Sequence, residues 1–124
     1  MPRPIAHFEI AARDAQTLQA FYGALFDWDI NADNPMSYGL VTAKDGDAGI
    51  DGAIYNHNPE DENDRPGIRL YMQVDDADAY ATRAEELGGK SMGPAEEVPG
   101  YGIKVGGLID PEGNIIGVIQ AIDE

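Results

Sequence analysis

A fixed offset of 62 residues constrains what this chain can fold into more than any other feature. His7 and Arg69, Asp14 and Asp76, and Leu25 and Leu87 are each separated by that interval. The first pair lies in stretches that alternate as strands do. In Ala6-His7-Phe8-Glu9-Ile10, Ala6, Phe8 and Ile10 point one way, His7 and Glu9 the other. In Arg69-Leu70-Tyr71-Met72-Gln73-Val74, Leu70, Met72 and Val74 form the apolar face, and Arg69, Tyr71 and Gln73 the polar one. A polar face on one antiparallel strand is ordinarily just wet. Two such strands, each leading into a similar helix, point instead to a lined cavity.

The helices carry the same repeat. Asp14 precedes a pattern with Leu18, Phe21, Tyr22 and Leu25 on one stripe, and Asp76 precedes one with Ala77, Tyr80, Ala81, Ala84 and Leu87. Each aspartate stands where an N-cap carboxylate accepts the orphan N–H groups of a first turn. The chain therefore reads as two copies of one unit, a strand, a helix and then further strands.

Between and beyond these elements, the sequence predicts strands at about 28–31, 38–42 and 49–55. Asn34-Pro35-Met36-Ser37 reads as a loop, and Lys44-Asp45-Gly46-Asp47 as a hairpin turn. Residues 56–66 are polar throughout and read as the linker; His57 within it reads as a loop histidine. The second helix ends on Leu87-Gly88-Gly89. Strands follow at 90–92, 103–109 and 115–122. The segment 93–102, with two prolines and three glycines, reads as a loop over a cavity mouth that could bring Tyr101 to a ligand. Asp110-Pro111-Glu112-Gly113 is a turn.

Composition narrows the partners. At 124 residues one domain is expected, and the absence of cysteine excludes disulfides and thiolate metal sites. There is no signal-peptide core at Met1-Pro2-Arg3-Pro4 and no apolar run of membrane-spanning length, so a cytoplasmic protein is the expectation. With 23 acidic against 8 basic side chains the net charge is −15. Such a surface repels nucleic acid and anionic lipid. It serves solubility, or it reflects adaptation to high salt, where screening removes the repulsion.

The ordered set His7-Phe8-Glu9-Ile10, Phe21-Tyr22-Gly23-Ala24-Leu25-Phe26-Asp27-Trp28, Val74-Asp75-Asp76, Leu87-Gly88-Gly89, Val98-Pro99-Gly100 and Asp110-Pro111-Glu112-Gly113-Asn114 resembles the vicinal oxygen chelate superfamily of glyoxalase I, bleomycin-resistance proteins and extradiol dioxygenases. It resembles most the glyoxalase-related branch. Asp27 stands where glycine is expected, and aspartate tolerates left-handed geometry better than most residues. The resemblance implies an α+β fold with two βαβββ modules in one chain, forming curved mixed sheets around a cavity. Residues about 1–56 form the first module, about 57–66 the linker and about 67–124 the second, within one glyoxalase-like domain.

In that family a divalent metal is held by residues of the first and last strands of each module. Carried over, His7 matches the first histidine ligand. The counterpart in the second module is Arg69, which has no lone pair to give. The last-strand carboxylate positions fall on Gly52 and Gly117. The expectation is therefore no metal and no cofactor. His7 and Glu9 are the candidate catalytic pair, acting as general acid and base or as an oriented hydrogen-bonding couple. The candidate ligand-binding set is His7, Glu9, Arg69, Tyr71, Gln73, Gly52, Gly117 and Tyr101. Gly52 and Gly117 leave room for a bulkier ligand, and Arg69 favours one with an anionic group. Two functions stay open. One is a small-molecule-binding protein like the drug-sequestering members; the other is a lyase, isomerase or epimerase acting on a small oxygenated metabolite without the usual metal. A homodimer is expected from the family and from sheet edges that a partner would cover.

Overall fold

In the computed structural model, which describes residues 2–33, 38–62 and 64–122, both helices start on the aspartates the repeat singles out. The chain runs β1 (Ile5–Ala12), α1 (Ala15–Phe26), β2 (Asp29–Asn31), β3 (Gly39–Thr42), β4 (Gly52–Asn56), β5 (Gly67–Gln73), α2 (Ala77–Glu86), β6 (Lys90–Ser91), β7 (Glu96–Val98), β8 (Ile103–Ile109) and β9 (Ile115–Ala121). The expected loop at Asn34-Pro35-Met36-Ser37 lies outside the described residues. Asp14 Oδ1 accepts the Thr17 N–H at 3.3 Å and Asp76 Oδ1 accepts the Ala79 N–H at 3.2 Å. A second cap comes from far along the chain. Asn56 Oδ1 accepts the Ala15 N–H at 2.8 Å, and Gln120 Oε1 accepts the Ala77 N–H at 2.9 Å. Two orphan donors of each first turn are thereby satisfied.

The mixed α+β architecture is as the sequence predicts, and the chain divides into two compact units, residues 7–69 and residues 70–124 with the N-terminal stretch up to Ala6. In the unit 7–69 the strand order is β2-β3-β4-β1, with β4 parallel to β1 and the other pairs antiparallel. Its core is Ile10, Ala12, Ala15, Val41 and Ile54, closed over by Phe8, Leu18, Tyr22 and Trp28. Trp28 stacks on Tyr22 with centroids 5.4 Å apart and is tilted against Phe8 at the same distance. α1 ends at Asp27, which takes the left-handed conformation at φ 58°, so the turn survives without glycine.

In the other unit the second half of β5 pairs parallel with β9, and β9 pairs antiparallel with β8 across the Asp110–Asn114 turn. β6 and β7 both pair with β8. The core is Val74, Ala77, Leu108 and Val118 under Tyr80, Ala81 and Ala84 of α2. Pro4 joins this unit by accepting the Gln73 N–H at 2.9 Å.

Two expectations change. β7 forms inside the segment read as loop: Glu96, Glu97 and Val98 pair with Val105, Lys104 and Ile103, and a ready partner outweighs the flanking prolines. The apolar stripe of α1 also splits. Leu18 and Tyr22 pack on the core, but Phe21 and Leu25 are 54% and 59% exposed. No helix among the described residues is long and apolar enough to cross a membrane.

Candidate functional site

β1 delivers its two faces as its alternation predicts. Phe8, Ile10 and Ala12 enter the core beneath α1, which turns His7 and Glu9 to the opposite face. β4 runs parallel beside it in a register that pairs Glu9 with Ala53, Ile10 with Ile54 and Ala11 with Tyr55. Ile54 is fully buried in the core, so Tyr55 projects on the same face as His7 and Glu9. Tyr38, directly before β3, lays its ring 5.5 Å from that of Tyr55 and donates its hydroxyl to Glu9 Oε2 at 2.5 Å. That is the length of a charge-assisted O–H···O⁻ bond.

A second group of contacts fixes Tyr55. Its hydroxyl donates to Asp64 Oδ1 at 3.1 Å, and Arg69 reaches the same carboxylate oxygen at 3.3 Å. Both charged side chains are mostly buried, at 15% and 16% exposure. Asp64 Oδ2 accepts the Asn58 N–H at 2.7 Å, and the Asp64 carbonyl accepts from His57 Nδ1 at 3.0 Å. The segment read as a linker is thus tied to the rest of the unit 7–69 at its start and near its end. His57 also donates its backbone N–H to the Ala12 carbonyl at 2.8 Å.

Electrostatics separates the groups. Burial pushes the His7 imidazole below its ordinary value, while the carboxylates of Glu9 and Asp51 push the other way. The ring is therefore neutral near pH 7. Burial, reinforced by the negative charge of Glu9, holds the Tyr55 phenol well above its ordinary value, so it stays a donor. Asp51 is kept below the usual carboxylate range by the backbone N–H groups of Lys44 and Ala43, and it braces the 43–51 hairpin.

The predicted residues distribute as follows. His7, Glu9 and Arg69 belong to the unit 7–69, and Arg69 joins their face through Tyr55. Its guanidinium is paired with Asp64 at 3.3 Å, so an anionic ligand group would share it with that carboxylate. Gly52 is also corrected. It pairs with Phe8 and Val41 on the helix side, where a Cβ would lie 2.5 Å from the Phe8 ring. No ligand space opens there, and the residue opposite Glu9 is Ala53. Tyr71, Gln73, Gly117 and Tyr101 belong to the other unit. Gly117 pairs with Tyr71 on the face away from α2, and the Tyr71 ring fills the room a side chain would take, 2.3 Å from a built Cβ. Tyr101 sits on a turn, 61% exposed. Sequence reasoning missed Tyr38, Tyr55 and Asp64. Alternation through β4 points to Tyr55; nothing local distinguishes Asp64 in its polar run.

The donor set does not suit the divalent metal of the resembled family. His7 supplies an imidazole, but Ala53 and Gly117 offer nothing and Arg69 is a cation. Among the described residues no three His, Asp or Glu side chains gather as a metal would require.

Against known proteins, the glyoxalase-like domain family matches residues 7–119. No curated protein matches by sequence. Among solved structures, the methylmalonyl-CoA epimerase of Streptomyces coelicolor in complex with 2-nitronate-propionyl-CoA is similar with a TM-score of 0.71 at 17% identity, over 99% of this chain and 100% of that one. The Mycobacterium tuberculosis methylmalonyl-CoA epimerase gives 0.68 at 18%, over 96% and 88%. A hypothetical protein from Bacillus halodurans C-125 gives 0.67 at 16%, over 100% and 98%. At such identities the likeness is one of fold.

Proposed function

The chain belongs to the glyoxalase-like domain family, and we propose that within it this protein is a cytoplasmic, homodimeric small-molecule-binding protein whose ligand meets the His7–Glu9–Tyr55 face. The observation that carries this reading is the polar wall fixed before any ligand arrives. Glu9 is held by Tyr38, Tyr55 is held by Asp64 and Arg69, and the two tyrosine rings lie side by side. Such a wall supplies aromatic surface and a few oriented polar groups, which is what small-ligand sites use. With its carboxyl group aimed at this face beside the Tyr55 ring, Glu9 favours a ligand that donates hydrogen bonds to it. A thermal-shift screen of metabolites and drug-like compounds tests this. Compounds that stabilise the protein are expected to lose most of their shift on Glu9→Gln and Tyr55→Phe. Shifts that survive both substitutions, or a screen without any shift, would overturn the reading.

The epimerase alternative has its own support: a neutral imidazole two residues along the strand from a carboxylate, in a fold similar to that of methylmalonyl-CoA epimerases. Glu9 would remove a proton next to a carbonyl while His7, having first taken up a proton from solvent, would deliver one from the opposite side, and exchange with solvent would reset the pair. Incubating the protein with methylmalonyl-CoA in D2O tests it. Deuterium at the α-carbon that depends on His7 and Glu9 would place this reading first; its absence would remove that substrate.

A further inference from the structure

We propose that the ligand of the His7–Glu9–Tyr55 face is an organic cation, an ammonium group carried on an apolar or aromatic body, a step that rests on the reading of this face as a small-molecule site. A tyrosine hydroxyl has one proton to donate. Tyr38 gives its proton to Glu9 Oε2 at 2.5 Å, and Tyr55 gives its own to Asp64 Oδ1 at 3.1 Å. Both donors are committed inside the protein, so what the two tyrosines offer a ligand is ring surface. Arg69 reaches Asp64 at 3.3 Å and the Tyr55 hydroxyl oxygen at 3.5 Å, so its guanidinium is turned to partners within the same unit. His7 is neutral near pH 7 and brings no positive charge.

The acceptors of the face point the other way. A carboxylate has about four lone-pair directions, and the bond from Tyr38 uses one of them while it aims the group. The rings of Tyr38 and Tyr55 lie beside that carboxylate with centroids 5.5 Å apart. After burial, the charge of Glu9 is the main influence holding the Tyr55 phenol up, which places the carboxylate close to that ring as well. A carboxylate next to aromatic rings suits an ammonium group: its charge meets the carboxylate, and its carbon atoms lie against the rings, whose negative faces attract a cation and repel an anion. The surrounding charges agree. Asp64 stands beside Tyr55 and Asp51 acts on His7 from the hairpin, against the guanidinium of Arg69. An anionic group here would share Arg69 with Asp64 while lying near Glu9. At net −15 the whole molecule also draws small cations toward itself and turns anions away.

Three phenyl compounds that differ only at the head group test this: phenethylamine, phenethyl alcohol and hydrocinnamate. Each is titrated into the isotope-labelled full chain near pH 7, in about 0.5 M NaCl to screen diffuse attraction to the acidic surface, and NMR amide shifts report both place and affinity. Phenethylamine is expected to bind about tenfold or more tightly than the alcohol, with its largest shifts along β1 and β4, and hydrocinnamate most weakly. Glu9→Gln should erase the advantage of the amine over the alcohol. Tyr55→Leu, which removes a ring, should weaken the amine roughly fivefold. Glu86→Gln, in an exposed ion pair of the other unit, should change nothing, and circular dichroism checks that the variants stay folded. Equal affinity for amine and alcohol, or a preference for hydrocinnamate, would overturn the proposal and leave the face as a binding site. An amine advantage that survives Glu9→Gln would overturn it too, by placing the cation elsewhere on the acidic surface. Binding by none of the three up to about 20 mM would also overturn it, and with a compound screen that gives no shift would remove the binding reading as well.

Discussion

The two units of this chain begin their helices in the same way and pair their parallel strands in the same register, and they diverge in which position of that pairing is glycine. Each caps its helix twice, with Asp14 and Asn56 in one and Asp76 and Gln120 in the other. Each also packs an aromatic ring over a glycine of the neighbouring parallel strand: Phe8 over Gly52, Tyr71 over Gly117. In the unit 7–69 that ring lies on the helix side and belongs to the core. In the other unit it lies on the face away from the helix. Glu9, whose repeat partner is Tyr71, is thereby left to carry a carboxylate on the face that Tyr71 fills with a ring. A repeat can therefore preserve the scaffold while changing the chemistry of the same strand position, because neighbouring residues of a strand point to opposite faces, and a glycine moved by one position makes room for a ring on the other face.

Alanine at the two glycines is the strongest way to test this difference. At Gly52 a methyl group would meet the Phe8 ring and also the Phe8 carbonyl at 2.5 Å, and a backbone atom cannot swing aside. Gly52→Ala should destabilise by about 3 kcal/mol, the upper end of overpacking costs. At Gly117 every close atom belongs to the Tyr71 ring, which can rotate. Gly117→Ala should cost about 1 kcal/mol. Urea midpoints measure both. Equal costs would mean that the two aromatic–glycine pairs are equivalent after all.

The ion pairs give the next contrast. Asp64 and Arg69 are mostly shielded from water, and Asp64 also receives the Tyr55 phenol and the Asn58 N–H. Asp64→Ala leaves a cation and a phenol without that partner, and should cost about 2–3 kcal/mol. Removing the cation as well, in Asp64→Ala/Arg69→Met, should recover part of the loss, because the penalty lies in the uncompensated charge. In the other unit Arg83 and Glu86 pair at more than half exposure, and Glu86→Ala should leave the midpoint within error. A double variant less stable than Asp64→Ala alone would show that Arg69 contributes through contacts other than this pair.

These contrasts also mark how far the sequence could be read. Every described strand but β7, and both helices, are legible because hydrophobic period and Asp caps are local signals, and the face of β1 follows from alternation alone. Half of the α1 stripe was misread for a physical reason: apolar residues at helical spacing look identical whether a core or another molecule covers them. Gly52 was misassigned because a ladder register depends on a partner strand more than forty residues away, which no local pattern encodes. Asp64 was invisible for the same reason. Its neighbours in sequence are polar, and its role comes from Tyr55 and Arg69, brought to it by folding.

The smallest effect concerns His7, the titrating group of the polar face. Its folded value lies below the ordinary 6.5 because burial disfavours the imidazolium more than Glu9 and Asp51 favour it. The unfolded chain therefore binds the proton more readily than the folded one. The sign follows from linkage: His7 contributes stability that is present above the unfolded value and lost as pH falls through the folded one. Urea midpoints between about pH 7.5 and 5 should fall more steeply for the natural chain than for His7→Gln, which cannot titrate. The second variant, Glu9→Gln, removes the nearer opposing charge, lowers the His7 value further and should widen the pH window of the loss. An unchanged slope in His7→Gln would mean that the imidazole is solvated, and would break the contrast between a titrating polar face in one unit and a ring-filled one in the other.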